Sequence, residues 1–236
     1  MASISRLLSL AILLAAAFPA GVRPAGAQSC PENRILLTLI QGVASSVVSS
    51  DATRDTTGGY AHGSYDLKNG LLSSSVSFFD FGSFVNDRWA GCFVDTEDEY
   101  WIVGLPAGTP VDFNAEFMVS GSWSVFPGVP QGEFSSEGFV AVAPDTSRYS
   151  IPIPGGCCHG GIGRSLTLPL HRLAGEHFRL RLHLGSQNYR GRVDESGQLQ
   201  FTGLPPGAAV VSCQGFGGLS TPARHTSWGR LKTTYR

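Results

Sequence analysis

The chain has 236 residues, of which 42% are hydrophobic and only 15% charged, with 30 glycines, 14 prolines, five cysteines and a formal net charge of −1. So apolar a composition excludes an intrinsically disordered chain, and so even a charge balance excludes the strongly basic domain expected of a nucleic-acid binder. The length suits one large β domain or two small ones, because single sandwiches and barrels reach ~200–250 residues.

The first 27 residues read as a secretory signal peptide. Arg6 precedes an apolar run from Leu7 to Phe18, and Ala25-Gly26-Ala27 places small residues at the −3 and −1 positions of a cut. That run is well short of the ~18–20 residues needed to span a bilayer. The mature chain is expected to begin near Gln28 and to be secreted or periplasmic, with no membrane span. Residues 28–221 are read as a single domain, open to division into two half-domains. Residues 222–236 form a basic tail holding Arg224, Arg230, Lys232 and Arg236. It is either a sorting tag or an end segment that packs weakly on the rest of the chain.

Turn residues recur throughout, which suits many short strands. In chain order, ILLTLI (35–40), YAHGSYDL (60–67) and LLSSSVSFF (71–79) come first. Lys68-Asn69-Gly70 joins the second to the third, Asn-Gly supplying the positive-φ residues of a tight hairpin. RWAGCFVD (88–95) and YWIVGL (100–105) follow, separated by Asp95, Glu97, Asp98 and Glu99. Four carboxylates so close together suit calcium, a hard ion with oxygen ligands, but no EF-hand glycine follows, and a solvated acidic loop is the simpler reading.

Strict alternation marks VDFNAEFMV (111–119), where Val111, Phe113, Ala115, Phe117 and Val119 share one face. GFVAVA (138–143), YSIPIP (149–154) and RSLTLPL (164–170) lead to HFRLRLHL (177–184). There Phe178, Leu180, Leu182 and Leu184 point inward if His177, Arg179, Arg181 and His183 point out. YRGRVD (189–194) and QLQFTGL (198–204) are read as two strands joined by a turn from Asp194 to Gly197, and AVVSCQGF (209–216) is last. The expected fold is all-β, a disulfide-bearing antiparallel β-sandwich of jelly-roll-like or immunoglobulin-like kind.

One segment echoes another. Gly104-Leu-Pro-Ala-Gly-Thr-Pro-Val111 recurs as Gly203-Leu-Pro-Pro-Gly-Ala-Ala-Val210. Each is a proline-started turn with glycine where φ must be positive. The second copy belongs to DESGQLQFTGLPPG (194–207), which resembles the D-x-x-G-x-x-x-F-x-x-L-P-x-G hairpin of carboxypeptidase regulatory-like and CnaB-like β-sandwich modules. That resemblance covers some 14 residues and implies a non-catalytic stalk, adhesion or accessory domain. The aromatic which usually follows the last glycine is replaced here by Ala208-Ala209-Val210, and no functional residues carry across. A general likeness to secreted bacterial β-sandwich proteins points the same way.

Chemistry is sparse. Cys30, Cys92, Cys157, Cys158 and Cys213 are disulfide candidates on an exported chain. The expected pattern ties Cys157 and Cys158, within GGCCHGG, separately to Cys92 and Cys213, or one of them to Cys30. A Cys157/Cys158/His159 metal site, with copper or zinc, is the sharper alternative, though a fourth ligand at recognisable spacing is missing. His177, Arg179, Arg181 and His183 form a cationic row suited to an anionic polysaccharide, or else a charged solvent face or protected edge. Trp89, Trp101 and Trp123 are aromatic surfaces for sugars or partly buried core. Residues 28–148 carry 15 acids against 5 bases and residues 149–236 carry 3 against 10, so the two parts hold −10 and +7. These attract each other within one domain or offer a basic surface to an anionic partner.

No catalytic motif is present and no cofactor is called for. The expected function is a structural or binding role outside the cytoplasm. The alternatives are a carbohydrate- or anionic-polymer-binding module, or a metal site or metal-dependent enzyme on the Cys157-Cys158-His159 loop.

Overall fold

The computed structural model describes residues 30–31, 33–39, 44–47, 49–56, 58–78, 90–126, 133–153 and 159–218. Residues 1–27, read above as a signal peptide, and Trp89, Cys157, Cys158 and the basic tail lie outside them. Two antiparallel sheets account for nearly all of the described chain. Sheet A runs β2 (Ala44–Val47), β1 (Arg34–Leu39), β6 (Ala90–Val103), β11 (His177–Tyr189), β8 (Glu133–Val142), β9 (Asp145–Ile153), with β13 (Ala209–Ser212) also on β6. Sheet B runs β10 (His159–Leu173), β7 (Pro110–Val125), β12 (Gly191–Thr202), β5 (Leu71–Phe78), β4 (Gly59–Asp66), β3 (Asp51–Thr56). The all-β, disulfide-bearing sandwich read from the alternation is the fold found.

Period-2 patterning decides what is buried, because successive side chains on a strand point to opposite faces. On β7 the buried set is Val111, Phe113, Ala115, Phe117 and Val119; on β11 it is Phe178, Leu180, Leu182 and Leu184. Near β13 an aromatic cluster closes one end of the core. The Tyr100 ring lies 5.9 Å from Phe178, 5.5 Å from Phe201 and 5.9 Å from Phe216. Tilted and edge-on rings at such distances add about 0.5–1.5 kcal/mol per pair beyond area burial.

A hairpin turn stands where Asn69-Gly70 predicted one, but it is a four-residue loop in which Gly70 has positive φ and Asn69 does not. Residues 67–70 turn between β4 and β5, with Gly70 at φ 67° and its N–H bonded to the Leu67 carbonyl at 3.3 Å. The turn expected from Asp194 to Gly197 does not form. Those residues lie inside β12, which runs unbroken from Gly191 to Thr202. The glycine serves packing, since a Cβ on Gly197 would sit 2.2 Å from Cζ of the buried Phe117 ring. The hairpin seen in the family resemblance is thus a strand followed by a corner.

That corner and its echo are a pair. Residues 104–109 carry the chain from β6 in sheet A to β7 in sheet B, and residues 203–208 carry it from β12 in sheet B to β13 in sheet A. Thr109 N–H bonds the Pro106 carbonyl at 3.2 Å, and Ala208 N–H bonds the Pro205 carbonyl at 3.0 Å. The two corners touch, for a Cβ on Gly104 would fall 1.9 Å from the Gly207 carbonyl oxygen.

β1 and β13 lie end to end along one edge of β6. Arg34 to Leu39 pair with Asp95 to Ala90, and Ala209 to Ser212 pair with Val103 to Tyr100. Where the two strands meet, side chains complete the ladder. Glu97 N–H donates to Asn33 Oδ1 at 2.6 Å, Gln214 N–H to Asp98 Oδ2 at 3.2 Å, and Gln214 Nε2 to the Pro31 carbonyl at 3.1 Å. Asp98 is buried, and burial raises its carboxyl above the usual range against the hydrogen bonds that favour the anion.

A Cys30–Cys213 disulfide, with Cα atoms 5.7 Å apart, closes this junction. The expected pairing is therefore corrected. Cys30 and Cys213 are bonded to each other because their strands abut on β6, and Cys92 is a buried thiol facing the core.

The bridge spans a sequence separation of 183 residues, so its removal frees nearly the whole domain's loop entropy. Cys30→Ser/Cys213→Ser protein is expected to lose about 2–5 kcal/mol in urea unfolding. An unchanged midpoint would mean that the bridge does not hold the β1–β13 junction.

Candidate functional site

The acidic cluster and the cationic row, far apart in sequence, are neighbours. β6 and β11 pair in a register that sets His177 opposite Trp101, Arg179 opposite Glu99, Arg181 opposite Glu97 and His183 opposite Asp95. Alternation sends Asp95, Glu97 and Glu99 outward while Asp98 points into the β1–β13 junction. The acids are therefore strand residues rather than a loop. The described parts of those two runs, residues 90–95 and 100–103, fall in one strand of 14 residues, and a calcium site using all four carboxylates is ruled out by their division between two faces.

The ladder is built from ion pairs. Glu99 lies 3.3 Å from His177 Nδ1, and Glu97 lies 3.5 Å from Arg179 and 3.7 Å from Arg181. His183 Nδ1 stands 2.8 Å from Asp95 and its Nε2 3.5 Å from Glu137 on β8. The exposed pairs contribute about 0–1 kcal/mol each, so they set a charge pattern more than they stabilise the fold. The row read as free to hold an anionic polymer is answered by acids across the strand. Arg179, Arg181 and His183 face Asp95, Glu97, Glu99 and Glu137, so the row itself carries no cationic excess.

His183 is the fixed point of this surface. Its side chain is 13% exposed and its ring stacks on Phe139 at 5.0 Å and Phe93 at 6.1 Å. Burial alone would lower its pKa, but the carboxylates of Asp95 and Glu137 on its two nitrogens outweigh burial and raise it to about 9. It is an imidazolium at neutral pH. At the other end of the ladder the Trp101 and His177 rings stack at 4.8 Å and 11°. Glu137, Phe93 and Phe139 were not marked by sequence reasoning; only their place on adjacent strands brings them here.

The remaining candidates are dispersed. His159 is exposed at the start of β10, opposite Ser124 in the other sheet, and its proposed partners Cys157 and Cys158 lie outside the described residues. Trp123 packs on Phe134 at 5.6 Å. Cys92 donates to the His62 carbonyl at 3.2 Å, and burial pushes its thiol up to about 12, so it is no nucleophile at neutral pH. Among the described residues no group of three or more His, Cys, Asp and Glu side chains is gathered to hold a metal ion, and no helix is long and apolar enough to cross a membrane.

The folded pKa of His183 lies above the unfolded 6.5, so the stability its pairing contributes is complete below about pH 6.5 and lost as pH rises through about 9. An NMR titration of the His183 ring should give a midpoint near 9 in the native protein, moved down by Asp95→Asn. A midpoint near that of a free imidazole would contradict the clamp.

No family model matches the chain, and no curated protein matches it. Among solved structures it is similar to TmCBM61 in complex with beta-1,4-galactotriose, at TM-score 0.21 and 11% identity over 75% of this chain and 88% of that one. It is also similar to the enzymatically active domain of Bacteriophage CBA120 tailspike protein 4, at TM-score 0.22 and 12% identity over 66% of this chain and 19% of that one. At such TM-scores neither likeness carries an argument about function.

Proposed function

We propose that the chain is an extracytoplasmic, non-catalytic β-sandwich that holds a neutral, sugar-rich polymer on the outer face of sheet A. The observation that carries this reading is the ladder itself. It sets carboxylate acceptors and guanidinium and imidazole donors in register on two strands, beside the stacked Trp101 and His177 rings. Sugar hydroxyls donate and accept, and aromatic rings offer their C–H faces an apolar platform. A polyanion is a poorer occupant of the ladder, because each cation of the row already has an acid across the strand.

A non-catalytic role is supported by where the perturbed groups sit. Catalytic sites concentrate shifted pKa values in clefts. Here Asp98 and Glu195 are buried within the sandwich, and His183 is clamped between rings and carboxylates. The best-formed hollows are a shallow cleft of about 320 Å³ over Asp112, Asn114 and His171, and another of about 480 Å³ between Asp145 and Thr167. Both lie away from the ladder, the first on β7 and β10 of sheet B and the second between β9 and β10, and neither gathers the groups with shifted pKa values.

Retention on immobilised neutral and anionic polysaccharides tests this. Wild type is expected to bind a neutral polymer. Trp101→Ala should weaken that binding at least tenfold, and Arg179→Ala/Arg181→Ala should weaken it severalfold with folding intact by circular dichroism. Equal retention of all three proteins would overturn the proposal, and so would binding confined to anionic polymers and abolished by salt.

A further inference from the structure

The interior of the sandwich holds a carboxylic acid that the binding face does not use. Glu195 on β12 is 4% exposed, and neither of its carboxyl oxygens has a hydrogen-bond partner. Hydroxyls surround it from the opposite sheet without reaching bonding geometry: Ser136 on β8, Ser186 on β11 and Tyr149 on β9. These hydroxyls are already engaged. Ser74 donates to the Cys92 carbonyl at 3.1 Å, so Ser186 donates to Ser74 at 2.8 Å and keeps only acceptor capacity. Ser136 and Tyr149 share one hydrogen bond of 3.0 Å. One hydroxyl proton of that pair is left over for two carboxyl oxygens, too few donors to solvate an ionised carboxylate.

Tyr149 connects the acid to an exposed edge. Among the described residues β9 is the last strand of sheet A and has β8 as its one ladder partner. Tyr149 crosses Gly138 on β8 to enter the interior; a Cβ on Gly138 would lie 2.7 Å from the Tyr149 ring. We infer that Glu195 is a proton-operated latch, which holds the β9 edge closed while the carboxyl is protonated and releases it when the carboxyl ionises. An ionised carboxylate here has no cation to meet. The titratable groups around it are Cys92 from β6 and Tyr149 from β9, with Glu137 acting through β8 from the outer face, and the groups from β5, β7 and β11 are uncharged Ser74, Gly121 and Ser186. Hydration is therefore its main route to stabilisation, and the edge strand is the wall with least to break.

The direction of the effect follows from linkage. Burial, with Glu137 adding to it, raises the Glu195 pKa to about 8 against the opposing influence of the three hydroxyls. The closed state thus binds the proton more tightly than the open one. Its advantage is complete below the ordinary carboxyl value of 4.5 and shrinks as pH rises, until about pH 8.

Hydrogen exchange of the segment 145–153, corrected at each pH for chemical exchange, reads the opening directly. In wild type the opening constant should climb roughly tenfold per pH unit between about 5 and 8 and then level off. In Glu195→Gln it should stay flat, while segment 111–119 of β7 is protected throughout in both. Equal slopes in wild type and variant, or no slope in wild type, would overturn the latch. Tyr149→Phe removes a hydroxyl that favours the anion, so its levelling-off point should move to higher pH. An unmoved point in that variant would likewise overturn it, whether or not Glu195→Gln folds.

Discussion

One edge of β6 organises the molecule. Two short strands from opposite ends of the described chain, β1 and β13, share that edge head to tail, and neither alone covers it. An uncovered stretch at Glu97–Asp98 would leave backbone groups unpaired inside the sheet, a cost of about 1–3 kcal/mol for each. Asn33, Asp98 and Gln214 pair them, and the Cys30–Cys213 bond keeps both strands in place. β11 occupies the other edge of β6, so the charge ladder lies directly beside this junction.

The same strand does two different things by alternation. Asp98 turns inward to the junction, and its neighbours Glu97 and Glu99 turn outward to the surface. β12 repeats the device: Asp194 faces outward, where it pairs with Arg192, and Glu195 faces the core. Burial and partners then set the charge of each. His183 keeps its proton, and its charge, because two carboxylates hold it, and Glu195 keeps its proton and stays neutral because burial disfavours its anion and no cation offsets that. The uneven charge of the two parts of the chain also finds a cause, since the acids of β6 and the bases of β11 meet across one ladder.

How much was legible in the sequence varied with the range of the interaction that decides each feature. β7 and β11 stood out because apolar and polar residues alternate without a break, and residues 67–70 because Asn-Gly has few other uses. β6 was broken in two, since Asp95 to Glu99 look like solvent-seeking acids until Arg179, Arg181 and His183 are set beside them from some eighty positions away. β12 was broken at Gly197, whose bareness answers the Phe117 ring rather than a turn. β2 and β3, at Ala44–Val47 and Asp51–Thr56, lack an apolar stripe and were passed over. The cysteine pairing was out of reach for the same reason: it depends on which strands abut. Of the site, the four basic residues and Trp101 were found, but the carboxylates that neutralise them were assigned to a separate loop.

A peptide map of the native protein, digested without reduction after alkylation of accessible thiols, tests this architecture most directly. The account predicts a linked pair of peptides holding Cys30 and Cys213, with Cys92 unmodified until the protein is denatured. A bridge from Cys92 or Cys213 to Cys157 or Cys158 would contradict it, since the β1–β13 junction would then rest on a different staple.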